Sequence, residues 1–255
     1  MSVTPASKRD DERQRLQTQY TEIATLAGGL AHEIRNPLST IGLNLELLLE
    51  EFEGSDSPKD RRICGKLQTV QKECQHLNDI LNAFLQFARA GELEKEPTDL
   101  SRFVEEFIEF YRPQAQDQQI EISPHLAADL PPVLIDPSLM RQVLMNLALN
   151  AQQAMPKRGR LELQTNCKGG RVDLEIIDSG MGMSPATLAR IFQVYFSTKQ
   201  DGSGLGLPTV RKIVEAHQGT ITCESELGKG TRFVISLPVA TPPAENVECR
   251  NPNVE

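Results

Sequence analysis

Residues 26–41 read LAGGLAHEIRNPLSTI and lie within a regular pattern of apolar residues. Apolar side chains recur around this stretch in steps of three and four, the spacing that keeps them on one face of a helix. The seam runs from 16 to 52, and its members are Leu16, Tyr20, Ile23, Ala27, Leu30, Ile34, Pro37, Ile41, Leu45, Leu48 and Phe52. This heptad pattern predicts one long helix with a continuous apolar seam.

A second seam follows after the turn-forming residues 53–59 (EGSDSPK). Its members are Ile63, Leu67, Val70, Cys74, Leu77, Leu81, Phe84 and Ala88. Two helices joined by a short turn form an antiparallel hairpin, and a lone hairpin leaves much of its apolar stripe in water. We therefore expect residues 16–91 to form a hairpin that dimerises into a four-helix bundle, with residues 1–15 as an N-terminal arm.

A second domain is expected beyond a polar connector, GELEKEPTDL, in which we place a linker at residues 92–98. Helical patterns at 100–111, 138–155, 185–191 and 207–217 mix with alternating strand patterns around Leu163, Leu174 and Ile235. The mixture predicts an α/β sandwich, one sheet under helices, over residues 99–238. The whole chain is then α+β, and its proline-containing tail, 239–255, is expected to be disordered.

Charge and composition exclude several classes of protein. The chain has 255 residues and a formal net charge of −8, so it lacks the basic footprint of a nucleic-acid-binding protein. No stretch approaches the roughly 18 apolar residues of a membrane span, and the N-terminus lacks the apolar core of a signal peptide. The five cysteines contain no CxxC pair, so no structural zinc is expected. These features predict a cytoplasmic protein, to which a separate sensor protein would deliver any membrane signal.

His32 lies between the seam positions Leu30 and Ile34 and, at about 100° per residue, points away from the seam. An exposed imidazole is partly neutral at pH 7, so one ring nitrogen can act as a nucleophile. Glu33 could accept the other ring N–H, and Asn36, one turn further on, could position a water or ligand. Taken singly, a satisfied core histidine and a solvated helix glutamate are the alternatives.

A second group of residues predicts a nucleotide site, although no P-loop motif is present. Asn146 and Asn150 stand at i and i+4 on one predicted helix and offer amide oxygens to a cation and N–H groups to phosphate. The predicted strand 172–177 ends in DSGMGM. There Asp178 could accept an exocyclic amine, while Gly180 and Gly182 let the backbone approach a flat ring. Alone, this motif could equally be a turn.

A glycine-rich loop precedes a further predicted helix in IFQVYFSTKQDGSGLGLPTVRKIVEAHQG, residues 191–219. Its glycines, Gly202, Gly204 and Gly206, leave backbone N–H groups at a positive helix terminus, where phosphates bind. Lys199 adds a point charge, so the acidity of the whole chain is no obstacle to phosphate binding. The ordered set of asparagine pair, Asp-x-Gly-x-Gly, glycine loop and terminal GKGTRFVISLP makes a strong joint signal.

The string HEIRNP, on a helix that continues past it, resembles the H-box of two-component sensor histidine kinases. The four nucleotide motifs resemble the N, G1, F and G2 boxes of the catalytic domain of that family, and the likeness runs from about residue 21 to 238. The nearest subgroup by eye is the nitrogen-regulation type. The resemblance implies that His32 is the phosphoacceptor, that Glu33 assists transfer, and that Asn36 supports dephosphorylation of the partner.

The resemblance also implies a Bergerat-type ATP site, as in gyrase B, the Hsp90 chaperones and the MutL proteins. Asn150 would help hold Mg²⁺, Asn146 would lie beside the phosphates, Asp178 would bind the adenine amino group with Thr231 nearby, and residues 192–206 would form a mobile lid. The nucleotide-binding set implied in this way is Asn146, Asn150, Asp178, Gly180, Gly182, Phe192, Phe196, Lys199, Gly202, Gly204, Leu205, Gly206, Leu207 and Thr231.

The function expected from this resemblance is ATP-dependent autophosphorylation of His32 and transfer of the phosphoryl group to an aspartate of a response regulator receiver domain. The chain would act as a homodimer, with ATP and Mg²⁺, and would also dephosphorylate its regulator. Two alternatives stay open: an ATP-gated interaction module that phosphorylates nothing, and a protein that works mainly as a phosphatase. No sensor domain, membrane span or receiver domain fits in these residues.

Overall fold

The computed structural model describes residues 34–52, 57–89, 93–199 and 202–240. The described residues fall into two compact units. The first contains a helical hairpin and also takes in the short segment Lys199–Leu205, and the second contains the remaining residues from 93 onward. His32, Glu33, the predicted arm at 1–15 and most of the predicted tail lie outside the described residues.

The hairpin consists of α1, which covers 34–51 of the described residues, and α2, Pro58–Arg89. Pro58 suits the first position of a helix, where its missing N–H is not needed. Leu38, Leu45 and Cys74 are buried between the helices, and Leu67 packs against them. At the surface the Arg35 guanidinium donates to Asn82 Oδ1 at 2.8 Å.

The apolar surface of the hairpin divides into two stripes, where the sequence predicted one seam on each helix. One stripe, at Leu38 and Leu45, faces α2; Leu38, which the predicted seam did not include, is buried, while Pro37 is exposed at heptad spacing from Ile34 and Ile41. A single partner helix can cover only part of a wide apolar face. The second stripe is exposed and keeps heptad spacing on both helices: Ile34, Ile41, Leu48, Val70 and Leu77.

The second unit is an α/β sandwich with a mixed sheet. Its five strands run in the order β2-β4-β5-β7-β6, and the β2–β4 pair is parallel while the other pairs are antiparallel. A two-stranded sheet pairs β1 with β3. The strands are β1 Glu96–Thr98, β2 Ile120–His125, β3 Val133–Ile135, β4 Gly159–Lys168, β5 Arg171–Asp178, β6 Thr220–Glu226 and β7 Gly230–Pro238. The helices are α3 Leu100–Asp117, α4 Pro137–Ala154, α5 Pro185–Leu188 and α6 Gly206–Ala216.

One face of the sheet forms the core of this unit. Alternate residues of the central strands are buried, as the period-2 pattern requires, and α3, α4 and α6 pack against the strands. The buried apolar residues of β4, β5 and β7 are Leu161, Leu163, Val172, Leu174, Ile176, Phe233, Ile235 and Leu237. The opposite face is polar, and on it the Arg232 guanidinium bridges Glu175 at 2.8 Å and Glu224 at 3.0 Å. The predicted order of helical hairpin, then α/β sandwich, is confirmed.

Several elements differ from the sequence predictions. The predicted linker 92–98 ends in β1, which pairs with β3 and so belongs to the second unit. Strands β2, β3 and β6 were not predicted, because each is fixed by pairing with strands distant in sequence rather than by its own pattern. The helix predicted at 185–191 is a single turn, Pro185–Leu188. Among the described helices, none has both the length and the apolar character needed to cross a membrane.

Candidate functional site

The candidate site is built on α4, whose start is fixed by an aspartate cap. Asp136 Oδ1 accepts the N–H groups of Ser138 at 3.0 Å and Leu139 at 3.1 Å. Such a cap satisfies amide groups that have no partner inside the helix. Ten and fourteen residues further on, Asn146 and Asn150 stand one turn apart with half-buried side chains. The helix therefore presents two amides at the margin of its buried face.

Asp178 ends β5 and is only 6% exposed. Its Oδ1 accepts the Gly180 N–H at 2.8 Å, and the N–H and hydroxyl of Thr231 also donate to the carboxylate. Burial raises the pKa of Asp178, while these hydrogen bonds act in the opposite direction. A buried carboxylate held in this way is a fixed acceptor, suited to a neutral N–H donor on a ligand.

A hydroxyl network behind Asp178 joins three strands. Thr231 is the register partner of Asp178 across β5 and β7, and its Oγ1 lies 3.0 Å from Ser225 Oγ on β6. Ser225 Oγ accepts the Met183 N–H at 2.9 Å and also lies 2.9 Å from the Gly230 carbonyl oxygen. The carboxylate is thus held by a chain of hydrogen bonds rather than by one contact.

Two glycines after Asp178 are required by close packing. A Cβ at Gly180 would stand 2.7 Å from both Asp178 Oδ1 and the Ala154 methyl group. Gly182 has φ +64°, and a Cβ there would overlap the Glu226 carbonyl oxygen. The loop therefore lies close to the end of α4 at Gly180 and close to the β6–β7 turn at Gly182, so neither position has room for a side chain.

Gly182→Ala is expected to lower the free energy of unfolding by about 1–3 kcal/mol, because alanine is strained at this φ and its methyl group meets a backbone oxygen. Thermal unfolding and ATP-analogue binding measure the effect, and analogue binding is expected to weaken. Gly169→Ala is the matched control, since Gly169 also has positive φ but has open space around it. Equal losses in the two variants would contradict the packing argument.

The start of α6 comes close to the asparagine pair. Gly206 begins this helix, and a Cβ built on it would stand 3.6 Å from Asn146 Oδ1. The first amide groups of a helix carry partial positive charge and lack partners within the helix. The amide of Asn146 and the positive end of α6 therefore stand together, an arrangement that suits an anionic ligand.

Two aromatic residues are held by arginines in the stretch before the glycine loop. The Arg190 guanidinium lies 4.2 Å from the centre of the Phe196 ring, and the Arg211 guanidinium lies 5.7 Å from that of Phe192. Cation–π contacts of this kind contribute about 0.5–1 kcal/mol at exposed sites. Because Arg211 is on α6, it links this stretch to the helix whose first residue faces Asn146.

The predicted site residues divide into three groups. The first lies in the second unit, on α4, at the end of β5 and in the loop after it, at the start of α6 and at the start of β7, together with the two arginine-held aromatic residues: Asn146, Asn150, Asp178, Gly180, Gly182, Gly206, Leu207, Thr231, Phe192 and Phe196. The second, Lys199, Gly202, Gly204 and Leu205, lies in the segment that groups with the first unit. The third is the predicted catalytic set, of which only Asn36 is described; it is exposed on α1.

Ser225, Arg190 and Arg211 support the site but were not predicted. Ser225 reaches Thr231 only through the register of β6 and β7, in which the two residues are paired. The one feature of the sequence that could have pointed to Ser225 is its position across the turn from the GKGT motif. The two arginines are ordinary surface residues in the sequence, and only the fold brings them over aromatic rings.

Comparison with known proteins gives two adjacent matches. Residues 22–93 match the family described as His Kinase A (phospho-acceptor) domain. Residues 135–241 match the family described as histidine kinase-, DNA gyrase B- and HSP90-like ATPase. The first match contains His32 and Asn36, and the second contains Asp178 and the asparagine pair.

Individual relatives agree with these matches. The sensor histidine kinase ZraS of Klebsiella oxytoca is 37% identical over 215 residues, covering 84% of this chain and 46% of that protein. Full-length ShkA, solved with AMPPNP, is 31% identical with a TM-score of 0.67, covering 85% of this chain and 46% of that one. ThkA, solved with the response regulator TrrA, shares the fold at 24% identity and a TM-score of 0.62, covering 95% of this chain and 69% of that one.

A phosphoacceptor domain followed by an ATPase domain of this type defines a class of signalling protein. The chain belongs to the two-component sensor histidine kinases. It spans about half the length of the curated relatives it matches.

Proposed function

We propose that this chain is the catalytic core of a sensor histidine kinase, which autophosphorylates on His32 with ATP and passes the phosphoryl group to an aspartate of a response regulator. The observation that carries the proposal is the buried carboxylate of Asp178. This residue lies in a region that matches the ATPase family, and that region follows in sequence a hairpin that matches the phosphoacceptor family. The proposed boundaries are 16–91 for the hairpin, 92–98 for the linker and 99–238 for the catalytic domain.

The adenine of ATP is proposed to bind at Asp178. The carboxylate would accept the exocyclic amine, and the bare backbone at Gly180 and Gly182 would face the ring. The proximity of Thr231 supports this, because its two hydrogen bonds hold the carboxylate in a fixed orientation. The phosphates would then extend toward Asn146 and the start of α6, where the partial positive charge of the helix terminus faces them.

The loop 192–206 is proposed to close over the bound nucleotide. Phe192 and Phe196 would anchor it through their arginine contacts. Its remaining predicted contacts come from Lys199, Gly202, Gly204 and Leu205, with Leu207 at the helix start. Glycines at these positions let the backbone fold around phosphate oxygens without steric cost.

The donor set fits a magnesium ion bound together with ATP. Asn150 stands one turn from Asn146 on α4, and amide oxygens are hard ligands of the kind Mg²⁺ prefers. When bound, the ion would neutralise charge on the phosphate oxygens. Asn150 would hold it, and Asn146 would orient the neighbouring phosphate.

Phosphoryl transfer is proposed to begin with a neutral His32. One ring nitrogen attacks the γ-phosphorus, a nitrogen–phosphorus bond forms, the bond from the γ-phosphorus to the bridging oxygen breaks, and ADP leaves. Glu33 would accept the proton from the other ring nitrogen, which balances the charge on the phosphoimidazole. The same phosphoimidazole then serves as donor to the aspartate of a receiver domain.

Asn36 is proposed to serve the reverse reaction, hydrolysis of the phosphoryl aspartate on the regulator. Its side chain is exposed on α1, and its backbone carbonyl accepts the Thr40 hydroxyl at 3.1 Å. An exposed amide one turn from His32 could orient a water molecule on a docked receiver domain. The balance between kinase activity and phosphatase activity then depends on whether His32 or Asn36 faces the regulator.

A homodimer is proposed from the exposed stripe on the hairpin. Heptad spacing of unburied apolar residues on both helices is typical of a face that packs against another helix pair. We expect Leu77→Glu to weaken dimerisation by about 100-fold, because the interface would have to bury an unpaired charge. Sedimentation measures this, and Gln68→Glu, which adds the same charge at an exposed polar position, should leave the dimer intact.

Dilution is expected to lower the helicity of the hairpin as the dimer dissociates, because its apolar stripe is then left in water. Circular dichroism over a concentration series measures this. A monomer that keeps full helicity would contradict the proposed dimer.

An ATP-gated module without phosphorylation is the second candidate, and the match of residues 22–93 to the phosphoacceptor family argues against it. Incubation with γ-labelled ATP and Mg²⁺ tests the proposal. The expected product carries label that is lost in acid and kept in alkali, as a phosphoimidazole does. Bound ATP without label, or label that survives acid, would overturn the proposal.

A further inference from the structure

His217 is a buried histidine that the proposed mechanism does not use. It follows α6 directly and is only 1% exposed. Its Nδ1 lies 2.7 Å from the Ile213 carbonyl oxygen, and its Nε2 accepts the Asp136 backbone N–H at 2.8 Å. A carbonyl oxygen only accepts and an amide N–H only donates, so the proton must be on Nδ1 and the ring must be neutral.

This ring joins the end of α6 to the beginning of α4. Asp136, whose N–H it accepts, is the residue whose carboxylate caps α4. At the other end of the pair, Gly206 begins α6 close to Asn146 on α4. Asn146 lies ten residues after Asp136, and Gly206 lies eleven residues before His217. Each separation corresponds to about 15 Å of helix. The two helices are therefore tied at one end and face the proposed phosphate site at the other.

The first described residues after the hairpin attach to the same junction. The Glu94 backbone N–H donates to Asp136 Oδ2 at 3.0 Å, and the Lys95 ammonium group donates to the Ala216 carbonyl oxygen at 2.9 Å. One contact is to the cap of α4 and the other to the end of α6. The chain that enters the second unit is thus bound to both helices of the proposed site.

We propose that His217 is a positioning residue for nucleotide binding. As a neutral imidazole it sets the register of α6 against α4, and through this register it sets the distance between the positive end of α6 and Asn146. It lies about 15 Å of helix from the start of α6 and is not part of the proposed set of nucleotide contacts. The inference rests on the proposed ATP site.

The imidazole is suited to this role because it donates and accepts in one plane at two sides of a rigid ring. The charged groups that face it are Asp136 and Lys95. Burial lowers the pKa of His217, so the neutral form is the stable one at pH 7. Protonation would put a hydrogen on Nε2, where it would face the Asp136 N–H and break the connection.

Two substitutions separate hydrogen bonding from space filling. Glutamine can donate and accept at similar spacing but does not titrate, whereas leucine fills the space and does neither. At pH 7.5 we expect His217→Leu to weaken binding of a non-hydrolysable ATP analogue by about tenfold, the size expected when a buried donor loses its partner. His217→Gln should stay within about threefold of the wild-type chain. His125→Leu, at an exposed histidine on β2, should bind like the wild type.

The pH profile distinguishes positioning from a purely structural role. Analogue affinity of the wild-type chain, divided by that of His217→Gln, is expected to hold constant near neutral pH and to fall only at acidic pH, because burial lowers the pKa of the imidazole and only the imidazole titrates. Circular dichroism at each pH keeps the comparison to folded protein. A ratio that falls already near pH 6.5, the ordinary pKa of histidine, would overturn the proposal of a buried neutral ring, as would folded His217→Leu binding with wild-type affinity or His217→Gln binding as weakly as His217→Leu. Failure of the wild-type chain to bind the analogue would instead overturn the ATP site itself.

Discussion

His32→Gln is expected to abolish phosphorylation of the chain, a loss of about 10³-fold or more in labelled phosphate. The glutamine amide is of similar size and polarity to imidazole, but its nitrogen lone pair is delocalised into the carbonyl group and does not attack phosphorus. ATP binding should be unchanged, since the proposed nucleotide contacts all lie beyond residue 145. Incubation with γ-labelled ATP and Mg²⁺, followed by separation of the protein from nucleotide, measures the label.

His76→Gln is the matched control for this experiment, because His76 is another histidine of the hairpin, half-buried on α2. It is expected to label as the wild-type chain does. Label that persists in His32→Gln would move the acceptor to another residue. Loss of label in both variants, with helicity intact, would mean that the hairpin surface rather than one nucleophile limits the reaction.

Asp178→Asn is expected to weaken ATP binding by about 100-fold without lowering thermal stability. The asparagine NH₂ group would face the donors from Gly180, Thr231 or the adenine amine, so at least one hydrogen bond must be lost. Stability should nevertheless hold, because burial raises the pKa of Asp178 and its ionised form is therefore disfavoured in the folded chain. A carboxyl group whose pKa is higher in the folded chain than in the unfolded chain lowers the free energy of unfolding as the pH rises above the unfolded-state pKa. Asparagine does not ionise, so the Asp178→Asn chain avoids this loss of stability.

Asp173→Asn is the control, since Asp173 lies on the same strand with its side chain on the opposite face of the sheet. It should bind ATP normally. Calorimetric titration with an ATP analogue and thermal unfolding at neutral pH give the two quantities. An Asp178→Asn protein that unfolds at much lower temperature would show that the carboxylate is structural, and one that binds normally would remove it from the adenine site.

The sequence predicted the parts of the site that are carried by short local motifs. Asn146 and Asn150 share a helix face because of their four-residue spacing, and Asp178 stands at a strand end because an apolar alternation stops there. The parts that it missed depend on long-range pairing. Ser225 supports Thr231 only across the β6–β7 register. Gly206 and Asn146 were grouped only through the family resemblance, since their proximity depends on the packing of α6 against α4.

His217 is another residue whose surroundings could not be predicted from the local sequence. In the sequence it is one histidine before a glutamine and a glycine, without a pattern that marks it as buried. Its partner, Asp136, lies 81 residues earlier in the chain. For the hairpin, the heptads predicted the helices and their apolar faces. They did not predict that the apolar surface divides into a stripe buried between the helices and an exposed stripe.

The position of β7 bears on when the second unit can form during synthesis. This strand is the last in sequence among the described strands, yet it lies inside the sheet between β5 and β6 and supplies the partner of Asp178. Neither β5 nor β6 has its full set of backbone partners before β7 arrives. A nascent chain that has reached only the glycine loop therefore exposes the edge of β5 that β7 later covers, the kind of surface that recruits chaperones or aggregates. The hydrogen-bonded surroundings of Asp178 are completed only when nearly all of the described chain has left the ribosome.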